Sequence, residues 1–259
     1  MQRKAAPRTG GHTSGMTRTS PDLTLWLRKL DPDGRFDGAT RDLLSAALDD
    51  IRPFGAHQTL FHEGDRPAET ILILEGLACR SKELPSGGRA IVAFLLPGDL
   101  CNGDLALFPT LDHSLRTLTP GRAAYIPQTR LQRLEASTQA LALAFRRAAA
   151  QEDAIAREWM ANLAQRSGRT RTAHLLCELF VRLRHVGLAR GFSGALPLTQ
   201  QDLSDATGLS VVHLNRVLQG LRRSGLLRLG RGTLEIVDWR RLARVAELAP
   251  DYVELLEAA

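Results

Sequence analysis

Apolar and polar positions change their period several times along the chain. Between Leu23 and Ile51, the residues Leu43, Leu44, Ala47, Leu48 and Ile51 recur at helical spacing and predict one buried helical face. From about residue 54 to 127 the apolar runs shorten and turn signals part them. Thr59-Leu60-Phe61 precedes His62-Glu63-Gly64-Asp65, Ile71 to Leu74 ends at Glu75-Gly76, and Leu77 to Lys82 leads to Pro85-Ser86-Gly87-Gly88. Ala90 to Leu96 then stops at Pro97-Gly98-Asp99, and Ala123 to Ile126 stops at Pro127. Short strands with regular Gly and Pro punctuation predict a sandwich or barrel-like β domain.

The next period is longer. Leu134, Thr138, Leu141, Phe145, Ala148, Glu152, Ile155, Trp159 and Asn162 fall at alternating steps of four and three. This is the 3.5-residue spacing of a coiled-coil seam. Neither Pro nor Gly interrupts Gln128 to Ser167, so one helix of ~50 Å is expected, zipped to a second copy of the chain, with packing of that face on the β domain alone as the alternative. Glu152 is the one charge in that seam.

Ser167-Gly168 breaks this segment, and a further helix is expected from near Arg171. After a Gly191–Gly194 loop comes the stretch Leu198 to Leu218. Thr199 suits an N-cap with Asp202 in the first turn, Leu203 and Ala206 supply a core face, and Gly208 suits a left-handed helix end. Ser210 suits a second N-cap, with Val211, Leu214, Val217, Leu218 and Leu221 along the following helix. Two short helices about a Gly turn match a DNA-reading helix-turn-helix. Leu226 to Leu229 and Thr233 to Val237 flank Gly230-Arg231-Gly232 and predict a wing hairpin with Arg228 and Arg231 at its tip.

Charge distribution agrees with this placement. Residues 165–241 hold 13 arginines against five acids, whereas residues 31–164 hold 14 basic against 18 acidic residues. A basic segment beside an acidic one has the footprint of a phosphate-binding module, and arginine suits bidentate phosphate and guanine contacts. Residues 1–22 read as a disordered basic leader with Met16 as an alternative start. No apolar run reaches the ~20 residues that span a bilayer, and no signal peptide is evident, so no membrane and a cytoplasmic location are expected. Cys79, Cys101 and Cys177 form no CxxC pair and are expected to be reduced and buried. Neither an iron–sulfur cluster nor haem finds a spacing signal, and no metal site is expected.

With these residues in view, the chain resembles the Crp/Fnr superfamily of bacterial transcription regulators over roughly residues 25–240. Phe61-His62-Glu63-Gly64-Asp65, Leu74-Glu75-Gly76, Leu96-Pro97-Gly98-Asp99 and the helix-turn-helix carry the resemblance. It implies an α+β fold: a cyclic-nucleotide-binding-like β-roll over 23–130, a dimerisation helix over 131–167, a winged helix-turn-helix over 168–241 and a tail over 242–259. The implied partners are double-stranded DNA and a second copy in a homodimer, with RNA polymerase and an unidentified small-molecule effector as further candidates. Arg216 falls on the family's base-reading arginine, while Val211 and Val212 depart from its usual Glu or Arg. The candidate DNA-binding set is therefore Thr199, Gln200, Ser210, Val212, His213, Asn215, Arg216, Arg228 and Arg231. Arg216 is the candidate for a bidentate guanine contact, Val212 for a thymine methyl, and Thr199, Gln200 and Ser210 for phosphates.

Cyclic-AMP-binding members resemble one another in a Gly-Glu-Leu stretch followed by Arg-Ser. Here Gly103-Asp104-Leu105 follows that pattern with Asp104 for the Glu. The arginine position falls on His113 or Ser114, depending on a one-residue gap, so the phosphate's bidentate arginine is missing and cyclic-nucleotide binding is not expected. Gly103, Asp104, His113 and Ser114 are the candidate effector pocket. A β-roll protein that acts through protein association rather than DNA is the alternative. An enzyme is not expected, because no nucleophile–base pair, metal motif or phosphate loop assembles.

Overall fold

The alternation Glu69-Thr-Ile-Leu-Ile-Leu-Glu75 is buried on both faces, and it sets the architecture of the first half of the chain. The computed structural model describes residues 21–85, 87–103, 107 and 110–257. Helices α1 (Pro21–Leu30) and α2 (Gly38–Ala46) precede strands β1 (Ile51–Phe54), β2 (Thr59–Phe61), β3 (Glu69–Glu75), β4 (Ala78–Glu83), β5 (Arg89–Leu95), β6 (Ser114–Thr117) and β7 (Gly121–Pro127). The strands form two antiparallel sheets, ordered β1-β7-β3 and β2-β6-β4-β5. Side chains alternate across a strand. Ile71 and Ile73 of β3 therefore enter the core of the roll with Phe54, Ala78, Leu95 and Leu115. Leu72 and Leu74 instead meet Trp26, Leu44 and Leu141 on the helical side. Gly121 passes so close to β3 that a Cβ would lie 2.0 Å from the Glu75 carbonyl oxygen, which excludes any other residue there.

Several expectations are corrected. The leader was expected to reach residue 22, yet α1 begins at Pro21, where a missing amide costs nothing. The helical stretch was expected to run to Ile51, but Ile51 pairs with Ala124 in β1, and Pro53 is tolerated because β1 is an edge strand. Strand β6 was not foreseen.

The predicted single long helix is two, α3 (Gln128–Ser137) and α4 (Gln139–Gln165). Thr138 takes an extended conformation between them, and its side chain accepts from the Leu141 amide at 3.1 Å. A hydroxyl that caps a new helix competes with continuing the old one, and α4 alone spans ~40 Å at 1.5 Å per residue. The expected intermolecular seam also faces inward. Leu134, Leu141 and Phe145 pack with Trp26 and Leu44, and Trp159 packs with Phe94 and the C-terminal domain. A 3.5-residue repeat marks a buried face without saying whose surface buries it. The opposite face of α4 repeats too: Arg146, Ala149, Asp153, Ala156, Met160 and Leu163 are exposed at steps of three and four, Met160 to 61%.

The C-terminal half begins with α5 (Gly168–His185), capped by Ser167. The predicted Gly191–Gly194 loop is instead a hairpin of β8 (Ala189–Arg190) and β9 (Ser193–Ala195). Helices α6 (Gln200–Thr207) and α7 (Val211–Arg223) follow, then β10 (Leu227–Gly230) and β11 (Thr233–Ile236), which join the hairpin in a sheet ordered β10-β11-β9-β8. The expected tail is ordered as α8 (Trp239–Val245) and α9 (Pro250–Glu257), and α9 packs Tyr252 and Leu256 on Val181 of α5.

Candidate nucleic-acid interface

Helices α6 and α7 meet because their buried faces share one core, in which Leu203, Ala206, Leu214, Leu218 and Leu221 pack with Leu227, Leu234 and Ile236 of the wing. Gly208 adopts φ +63 between them, which brings the second helix across the first. Thr199 and Asp202 form a full capping box, and the Ser210 side chain caps His213 at 3.3 Å. With its apolar face buried, α7 presents Val212, Arg216, Gln219 and Arg223 on one exposed stripe, at steps of four, three and four. Val212 is 64% exposed.

The structure sorts the sequence-derived set. Gln200, Ser210, Val212, His213 and Arg216 are exposed around the start of α6 and along α7. Asn215 is half-buried: its amide donates to Gln200 Oε1 at 3.2 Å, and its oxygen accepts from Gln219 Nε2 at 2.9 Å. Thr199 is exposed, but its hydroxyl donates to Asp202 Oδ2 at 2.6 Å, so its proton is already engaged inside α6. Arg231 stands at the wing tip with φ +50. Arg228 was expected beside it, yet it lies in β10 and pairs with Glu235 at 2.9 Å. Sequence reasoning passed over Gln219 and Arg223, although their spacing from Arg216 was readable, and Arg169, whose guanidinium donates to Ser224 Oγ at 3.3 Å beside the end of α7.

The candidate effector residues are less cohesive. Asp104 lies outside the described residues. Gly103 is exposed, His113 Nδ1 lies 2.7 Å from the Asp112 carboxylate, and Ser114 Oγ accepts from the Glu63 amide at 3.0 Å. Ser114 is thus engaged in holding the β2–β3 turn to β6. Above the roll, Arg80 of β4 donates to the carbonyls of Leu100 and Cys101 and to Glu152 of α4. A buried network then joins the halves: Arg182 of α5 reaches Asp99 at 3.0 Å and Glu178 at 3.2 Å, while Trp159 and Tyr252 each donate to Glu178 at 2.9 Å. Burial raises the Glu178 pKa despite those donors. It also pushes the Cys79 and Cys101 thiols up to about 12, and these cysteines and Cys177 are free and buried. Among the described residues no helix is long and apolar enough to cross a membrane, and no His/Cys/Asp/Glu group is placed to hold a metal.

A β-roll joined by a long helix to a winged helix-turn-helix is the architecture of a DNA-binding transcription regulator. Residues 170–245 match the Crp-like helix-turn-helix domain, and residues 51–138 match the cyclic nucleotide-binding domain. The nitrogen fixation regulation protein FixK of Bradyrhizobium diazoefficiens is 30% identical over 196 residues, covering 74% of this chain and 80% of that protein. The transcriptional activator protein FnrA of Stutzerimonas stutzeri is 29% identical over 216 residues, covering 79% and 85%. The chain belongs to the Crp/Fnr family of transcription regulators. The fold is also that of FixK2 from Bradyrhizobium japonicum, with a TM-score of 0.68 at 22% identity over 77% of this chain and 98% of that one. A CRP-family transcriptional regulator of Thermus thermophilus superposes with a TM-score of 0.61 at 21% identity over 78% and 99%.

Proposed function

We propose that the protein is a cytoplasmic, homodimeric regulator that reads an inverted-repeat operator and is controlled through its β-roll by a signal other than a cyclic nucleotide. One observation carries the DNA-reading half: the stripe Val212, Arg216, Gln219 and Arg223 is exposed on a helix whose opposite face is buried. Arg216 reads a guanine, Val212 meets a thymine methyl, and Gln200, Ser210, Arg169 and Arg231 hold the backbone. The dimer reading is supported by the outward repeat on α4 from Arg146 to Leu163, whose alanines let two backbones approach. Paired α7 helices then enter major grooves about 34–36 Å apart.

The signal reading is supported by the arginine position of cyclic-nucleotide binders falling on His113 or Ser114, neither an arginine and both engaged, by Asp112 and by the Glu63 amide. An effector at the roll acts by favouring one arrangement of the DNA-reading helices. RNA polymerase is the partner that transcriptional control calls for.

Selection of bound duplexes from random DNA tests this reading. A palindrome with two half-sites one helical turn apart is expected. Enrichment of single, unpaired half-sites would overturn the dimeric reading, and no enrichment at all would overturn the operator reading.

A further inference from the structure

We infer that Arg89 of β5 is a positioning residue for DNA binding: by gripping Asp202 and Asp205 of α6 it fixes the helix-turn-helix on the roll and so sets the angle at which α7 meets a duplex. This rests on the DNA-reading proposal above.

The Arg89 guanidinium spans two carboxylates one helical turn apart. Nε donates to Asp205 Oδ2 at 2.7 Å, and Nη2 donates to Asp202 Oδ1 at 3.0 Å. The three side chains are 15%, 4% and 11% exposed for Arg89, Asp202 and Asp205. The second oxygen of each carboxylate is also taken. Asp202 Oδ2 accepts from the Thr199 amide at 3.0 Å and its hydroxyl at 2.6 Å, and Asp205 Oδ1 accepts from Gln201 at 2.6 Å.

Beneath these pairs, Cys79, Ile91, Phe94 and Leu96 of the roll share a core with Leu203 and Ala206 of α6. Apolar contact is non-directional and leaves a helix free to slide or roll on a sheet. A buried ion pair behaves differently, because separating its members strands a desolvated charge. Arg89 therefore supplies the orientation that the apolar contact lacks. The same Asp202 closes the cap of α6, and Gln200 at the start of α6 is tied to Asn215 of α7. A displacement of β5 is thus carried to the exposed stripe of α7 without any residue of the roll touching DNA.

The test compares anisotropy titrations of the full chain on a selected operator duplex and on a random duplex of equal length, across a salt series. Arg89→Gln and Asp205→Asn are each expected to weaken operator binding at least tenfold. The double variant should be no weaker than Arg89→Gln, while random-duplex affinity and salt slope stay as in the wild type. Unchanged operator affinity in folded Arg89→Gln, or additive losses in the double variant, would overturn the inference. So would tighter binding by Asp205→Asn together with a salt slope lowered by about one in Arg89→Gln, since Arg89 would then be a phosphate contact. If Arg89→Gln unfolds at the assay temperature, Arg89→Lys, which keeps the charge but not the fork, is expected to show the selective loss instead. A wild type that binds no duplex would remove the DNA-reading proposal itself.

Discussion

The guanidinium of Arg80 on β4 donates to the carboxylate of Glu152 on α4 at 2.8 Å, so the one charge in the buried repeat of α4 is held by the roll. Arg80 also secures the Leu100 and Cys101 carbonyls, just ahead of the segment that carries the candidate effector residues. Glu152 is 41% exposed, so the pair itself contributes little. The two carbonyls matter more, because an unsatisfied buried acceptor costs about 1–3 kcal/mol. Arg80→Met is therefore expected to destabilise the chain by about 2 kcal/mol, while Glu152→Gln shifts it by less than about 1 kcal/mol. Urea denaturation of both variants measures the difference.

Arg216 and Arg231 are expected to fail differently. Arg216→Ala removes a base contact and should cost about 1–3 kcal/mol against the preferred guanine, with little change on other sequences. Arg231→Ala at the wing tip should weaken all duplexes alike and lower the salt slope by about one. Competition titrations across a salt series separate the two.

The outward face of α4 makes a clear forecast for assembly. If the proposed dimer forms through this face, Met160→Glu places a charge in it and is expected to give a monomer with its melting profile still cooperative. Phe145→Glu, on the inward face, should unfold the protomer instead. Sedimentation velocity with circular dichroism reads both outcomes.

Burial lowers the His174 pKa to about 4, with Arg166 adding to the effect and Glu158 opposing it. His174 Nδ1 lies 3.1 Å from Asn162 Nδ2, and the ring stacks on Tyr252 at 5.4 Å. Below the ordinary histidine value the unfolded chain takes a proton that the folded chain refuses until pH about 4. Stability is thus lost as pH falls from about 6.5 to 4, by up to about 1.4 kcal/mol per pH unit. His174→Gln should remove that part of the slope, as chemical denaturation at pH 7 and pH 5 will show.

Much of this molecule is readable from local pattern. The helix-turn-helix is marked by Thr199, Gly208 and Ser210, because caps and a left-handed turn are local chemistry that a short stretch dictates. The strands around Ile71 to Leu74 and Ala90 to Leu96 are equally legible, since period-two burial and Gly/Pro turns act within a few residues. Strand β6 is not, because it is flanked by loop-like residues and defined by pairing with β2 and β4. The α4 seam misleads for a related reason: a repeat reports burial, and the partner is Trp26 and α5 rather than a second chain.

The sequence by itself determined the caps and turn of the helix-turn-helix, the strands from Ile71 to Leu74 and from Ala90 to Leu96, and the segment in which the arginines concentrate. Only the tertiary structure decided what Arg89, Arg182 and Glu152 do, since their partners are 113, 83 and 72 residues away. Capping and periodicity are short-range and leave a signature in neighbouring letters. A charge pair across two domains depends on how those domains come to rest against each other, and no local pattern encodes it.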